Sequence, residues 1–106
     1  MIDDIEKYGD LNKLTSYKLT EILSKLRGFK VQHSTVMRDI RSEITQTTEN
    51  VIDTDLYQSI FIEKTYEMNG RLLSYFEMTK KGWLQMAVRY DAKTRYAIID
   101  YIKELE

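Results

Sequence analysis

The sequence predicts an α+β domain, mostly helical, and three observations carry that expectation. Apolar residues recur at helical spacing in four separate stretches. One Asn-Gly pair, Asn69-Gly70, stands between two β-like runs. No proline occurs among the 106 residues, so no helix is interrupted from within by a missing N–H. The predicted order is helix, helix, hairpin, helix, helix.

Residues 1–14 are polar and weakly patterned, which predicts a flexible lead-in, with residues 15–106 as a single domain. Thr15 or Ser16 suits a helix start, because a side-chain hydroxyl accepts a bond from an otherwise unpaired N–H of the first turn. Leu19, Ile22, Leu23 and Leu26 then fall on one helical stripe, and Gly28 suits the left-handed residue that closes it. A linker, Phe29 to His33, leads to Ser34 as the next cap. Val36, Met37, Ile40 and Ile44 form the second stripe, with the helix reaching about Thr47.

Ile60 to Met68 and Arg71 to Met78 flank Asn69-Gly70. Both residues of a type I′ turn need positive φ, which asparagine and glycine tolerate best. Pairing outward sets Met68 against Arg71, Tyr66 against Leu73 and Lys64 against Tyr75. One face then holds Ile60, Ile62, Tyr66, Leu73 and Tyr75, and the other Phe61, Leu72, Phe76 and Met78. Thr79 caps a third helix, Lys80 to about Tyr90, with Trp83, Leu84, Ala87 and Val88 inward. Asp91 caps a fourth, on which Ala97, Ile98, Tyr101, Ile102 and Leu105 form a stripe that Tyr96 and Ile99 widen.

Composition narrows the function. There is no cysteine, so disulfides, cysteine zinc sites and thiol nucleophiles are excluded. A single histidine gives no histidine cluster for a metal. No glycine-rich phosphate loop, His-Glu-x-x-His or serine elbow occurs, so the chain is not expected to be an enzyme or to need a cofactor. Asp53 and Asp55 fall far short of the six to eight oxygens calcium takes and suit a turn or cap. No apolar run is long enough to span a membrane, and the acidic start Met1-Ile2-Asp3-Asp4 has no signal-peptide pattern, which predicts a cytoplasmic protein.

The net charge is −1, but it is unevenly spread. Residues 18–41 hold six basic and two acidic side chains; residues 42–79 hold two and seven. A basic patch therefore lies over the first two helices, beside an acidic hairpin.

Two helices joined by a short turn, followed by a hairpin, is the order of a winged helix-turn-helix with the hairpin as wing and two C-terminal helices appended. The second helix is then the reading element. Its candidate DNA contacts are His33, Ser34, Thr35, Arg38, Arg41 and Ser42. Arg38 and Arg41 suit bidentate bonds to guanine, and the hydroxyls suit phosphates or base edges. Arg27 and Lys30 in the turn, and Arg71 at the hairpin tip, are candidate phosphate contacts. Glu63, Glu67 and Glu77 would repel a phosphate backbone laid along the strands. His33 suits either a contact at the helix start or a packing role beside Ser34, and Asp39 suits holding a neighbouring cation.

The run His33-Ser34-Thr35-Val36-Met37-Arg38-Asp39-Ile40-Arg41 resembles the His-x-x-Val-Met-Arg-Asp-Ile signature of the phage regulatory protein Rha family, preceded here by the helix that Thr15-Ser16 opens. Phe61, Tyr66 and the run Phe76 to Trp83 are similar to that family's Tyr-x-Leu-Thr-x-x-Gly-Phe segment, and Tyr101-Ile102 to its last helix. The likeness spans roughly residues 15–106. It departs from the family in a longer linker from Arg27 to Gln32 and in a turn, Tyr90 to Thr94, that lacks glycine. The resemblance implies a phage- or prophage-encoded regulator with a DNA-binding, winged-helix-like domain, linked to control of lytic or host-dependent growth. Double-stranded DNA is the expected partner, bound by a homodimer formed through the C-terminal helix. A rival expectation is an antirepressor or inhibitor that keeps the fold and binds a host or phage protein instead. The near-neutral charge and acidic hairpin motivate it.

Overall fold

A computed structural model describes residues 14–50 and 60–105. The expected lead-in, apart from Leu14, and the Asp53/Asp55 pair lie outside the described residues. Among the described residues six elements follow in order: α1 (Ser16–Arg27), α2 (His33–Asn50), β1 (Phe61–Met68), β2 (Arg71–Met78), α3 (Lys80–Ala87) and α4 (Ala92–Leu105). The architecture is α+β and mostly helical, as expected.

Each helix boundary has a local cause. Thr15 adopts extended backbone and its hydroxyl accepts from the Lys18 N–H at 3.2 Å, which starts α1. Gly28, at φ 74°, closes it in the left-handed region. The Ser24 hydroxyl then accepts from the Val31 N–H at 2.9 Å, folding the linker back onto α1. The second helix begins at His33, one residue before the expected cap Ser34, and runs past Thr47 to Asn50. Thr79 accepts from the Gly82 N–H and Asp91 from the Thr94 N–H, each at 3.2 Å, as caps of α3 and α4.

The strands pair antiparallel in the predicted register, Met68 to Arg71 through Phe61 to Met78. Asn69 (φ 53°) and Gly70 (φ 75°) supply the two positive φ values of the turn. The hairpin is anchored at its base. The Met78 N–H donates to the Leu14 carbonyl at 2.7 Å and Thr15 bridges Glu77. Leu14, expected in the lead-in, is therefore buried in the core. Ile60, expected in the first strand, is a buried residue just before it.

One core joins all six elements: Leu19 and Leu23 of α1, Val36, Met37 and Ile40 of α2, Phe61, Phe76 and Met78 of the hairpin, Trp83, Met86 and Ala87 of α3, and Ile98 and Ile102 of α4. Trp83 is completely buried, and its indole N–H donates to the Ile98 carbonyl at 2.7 Å, so its one polar atom is satisfied. Gly82 is required by close approach. A Cβ there would lie 2.4 Å from the Ile60 carbonyl oxygen. The Thr79-Lys80-Lys81-Gly82-Trp83 run thus has a structural reading in this chain: a cap, a contact only glycine allows, and a core anchor.

Three expectations about inward faces are corrected. Val88 is 62% exposed, because α3 ends at Ala87 and the chain turns before Val88 can face the core. Met86 takes the buried place instead. Tyr96 and Ile99 lie on the outer side of α4, while Ile98 and Ile102 face inward. The middle of the α4 stripe is therefore consumed within the chain rather than left free for a second copy.

Candidate nucleic-acid interface

The core stripe Val36, Met37, Ile40, Ile44 fixes which side of α2 faces away. Ser34, Arg38 and Arg41, at i, i+4 and i+7, all fall on the exposed side. Thr35 and Ser42 are half-buried at its edges. Arg27 and Lys30 are exposed in the turn that precedes α2, and Arg71 is exposed at the hairpin tip.

These side chains are not equally available. The Arg38 side chain is 76% exposed, and among the described residues its ion-pair contact is the adjacent Asp39, at 4.0 Å. Arg41 donates to Glu63 of β1 at 3.0 Å, and its guanidinium lies 5.9 Å from the centre of the Phe76 ring. It therefore holds α2 to the hairpin, although the pair is open to solvent and worth at most about 1 kcal/mol. Ser42 turns toward α3: its hydroxyl accepts from Gln46 at 3.2 Å and from Arg89 at 3.5 Å. It does not join the outward row of Ser34, Arg38 and Arg41. Glu43 beside it binds Arg89 at 3.2 Å and Gln85 at 2.9 Å, tying α2 to α3.

His33 is held inward. Its Nε2 lies 2.8 Å from the Ser16 hydroxyl, and its ring stacks on Tyr17 with centroids 4.0 Å apart and planes 15° apart. The same Ser16 oxygen accepts from the Phe76 N–H at 3.0 Å. Burial lowers the pKa of His33 from its usual 6.5, so a neutral ring is favoured near pH 7. A neutral, engaged imidazole adds no charge to the interface. Of the expected contacts, His33 thus has the packing role rather than the free one.

Tyr17 joins this histidine to Tyr66 and Tyr75 of the hairpin. Tyr17 meets Tyr66 through their hydroxyls at 2.5 Å and packs on Tyr75, with ring centroids 5.6 Å apart. Tyr75 donates to the buried Glu77 carboxylate at 3.1 Å. Burial, then the Tyr66 contact, pushes the Tyr17 hydroxyl up to about 12. The hairpin register already sets Tyr66 and Tyr75 on one face. Their meeting with α1 depends on how the helix crosses the sheet, which no local pattern encodes.

Asp39 does not hold Arg27 or Lys30 in an ion pair among the described residues. It lies near Tyr90, whose buried hydroxyl makes no hydrogen bond of standard geometry among the described residues and has a weak contact to Asp39. Burial, followed by the Asp39 charge, pushes Tyr90 up to about 12. Among the described residues no three histidine, aspartate or glutamate side chains group as a metal site, and no helix is long and apolar enough to cross a membrane. No family model, curated protein or solved structure matches the chain.

Proposed function

We propose that the chain is a DNA-binding transcriptional regulator of the winged-helix kind, phage- or prophage-encoded as its resemblance to the Rha family implies, which reads double-stranded DNA with α2. The observation that carries this reading is the outward row of α2. Ser34 and Arg38 stand clear of the core, the cations Arg27 and Lys30 precede them, and a hairpin with Arg71 at its tip follows.

Arg38 is the base-reading residue of this proposal, since its side chain is 76% exposed against 53% for Arg41 and its ion-pair contact among the described residues is a 4.0 Å approach to its neighbour. Ser34 and Thr35 suit a phosphate at the helix start, where free N–H groups and the dipole favour an anion. Arg27, Lys30 and Arg71 hold the backbone. Arg41 fixes the wing against the reading helix. One module of this size buries too little for tight operator binding, so two copies on two half-sites are proposed. Their contact would use the outer side of α4, where Tyr96 and Ile99 are exposed.

Selection of genomic fragments by the purified protein, followed by shift assays on the enriched site, tests the reading. Arg38→Ala should weaken specific binding by about 1–3 kcal/mol if the contact to guanine is bidentate. Full-strength binding by that variant removes the assignment, and no enrichment of any site removes the reading.

A second reading, a protein-binding antirepressor or inhibitor, is favoured by exposed apolar side chains. Phe29 in the α1–α2 turn and Leu72 near the hairpin tip are 63% and 73% exposed. Binding of a host or phage protein that Leu72→Ser abolishes, with no selected DNA site, would establish it over the first.

A further inference from the structure

The Ser16 hydroxyl has one proton and sits between two groups. It is completely buried, so no solvent reaches it. The Phe76 N–H can only donate, and does so into the Ser16 oxygen at 3.0 Å. The remaining partner is His33 Nε2 at 2.8 Å. The arrangement is complete when Ser16 donates to an unprotonated Nε2, which leaves the ring proton on Nδ1. Three elements meet through this chain of bonds: the first turn of α1, the first residue of α2 and the base of β2.

We propose that His33 is an acid-sensitive fastener, which holds the first turn of α2 to α1 and the hairpin while its Nε2 is unprotonated and releases that turn when the ring takes a second proton. A protonated Nε2 must donate. Ser16 would then accept two bonds, and its own proton would face a buried site with no acceptor among its two present partners. The imidazolium would also stand at the positive end of the α2 dipole.

Tyr17 of α1 stacks on the His33 ring, and a cation over that face gains some attraction. Tyr66 of β1 and Tyr75 of β2 lie behind Tyr17. The Glu77 carboxylate of β2 is bound to Tyr75. These favour the cation, but they leave the Ser16 proton without a partner. Burial of the ring opposes the cation, in agreement with the lowered pKa.

The chain has one histidine, so any titration seen in histidine ring resonances belongs to His33. The test is a pH series from 7.5 to 5 on the full chain without DNA, following the His33 ring and backbone amides by NMR with hydrogen exchange. The His33 midpoint should lie below 6.5, and the Phe76 amide should shift with it. Exchange protection at Met37, the first amide of α2 to bond within its own helix, should fall over the same range. Each unit of separation from the unfolded-state pKa is about a tenfold rise in the opening equilibrium. His33→Gln offers a fixed acceptor and should hold Met37 protection constant across the series.

A midpoint at or above 6.5 overturns the proposal, as do Phe76 and Met37 amides that ignore the titration. Loss of Met37 protection in His33→Gln equal to that in the parent chain does the same. If the variant does not fold, the parent titration decides alone. Any effect of acid on DNA binding rests on the reading above. Loosening of α2 without DNA binding leaves the fastener standing and removes only that reading.

Discussion

At Gly82 a single missing Cβ decides how α3 meets the hairpin. The Ile60 carbonyl oxygen that would lie 2.4 Å from an alanine Cβ is backbone, and it also accepts from the Thr79 N–H at 3.1 Å, so it cannot swing aside. Gly82→Ala should therefore destabilise the fold by about 1–3 kcal/mol, despite alanine's better helix propensity. Urea unfolding would measure it, and a midpoint equal to the parent's would contradict the close approach. Tyr90 gives the opposite sign. Its buried hydroxyl makes no hydrogen bond of standard geometry among the described residues and has only a weak contact to Asp39, so Tyr90→Phe should leave stability equal or raise it by up to about 1 kcal/mol at pH 7. The pH dependence follows from the raised pKa. The neutral phenol is favoured in the folded state up to about 12, against 10.0 for the ordinary group. Stability from this residue is fully present below pH 10 and is lost as pH rises toward 12. Tyr90→Phe should lessen the alkaline fall in melting temperature over that window. An unchanged alkaline slope would place the titration elsewhere.

Among the elements, the hairpin is the one most completely specified by its own residues. Asn69-Gly70 supplies two positive φ values, the turn sets the register, and the register sets both faces. Gly70→Val should cost more than Gly70→Ala, because a β-branched residue fits positive φ worst, with the alanine change near 1–2 kcal/mol. Chemical denaturation of the two variants orders them, and equal stabilities would mean the turn relaxes into another type. Helix stripes and caps were readable for the same reason: Thr15, Gly28, Thr79 and Asp91 act on N–H or carbonyl groups within four residues of themselves. The candidate interface was readable only in part. The spacing of Ser34, Arg38 and Arg41 put them on one face of α2. Whether each is free depends on partners far along the chain. Arg41 meets Glu63 across 22 positions, His33 meets Ser16 across 17, and Ser42 meets Arg89 across 47. Val88 misled because helical spacing continues on paper where α3 has already ended.

Across the whole molecule the net charge of −1 conceals opposed fields, and that shapes how any DNA contact must respond to salt. Random coating of DNA would need cations on several sides, whereas the acidic hairpin strands would repel a second duplex. Binding by the proposed face would engage Arg27, Lys30 and Arg71 with phosphates and Arg38 with a base, while Arg41 is paired with Glu63. Three neutralised phosphates per copy imply that log K falls with log salt at a slope of about −2.7, or about −5.4 for a dimer on two half-sites. Lys30→Ala should weaken binding equally on all sequences and flatten the dimer slope by about 2. Arg38→Ala should instead lose discrimination between sites with the slope nearly kept. Titrations at several salt concentrations separate these outcomes. A slope near zero with retained affinity would mean that the recognised partner is not a phosphate backbone, and would favour a protein bound through Phe29 and Leu72.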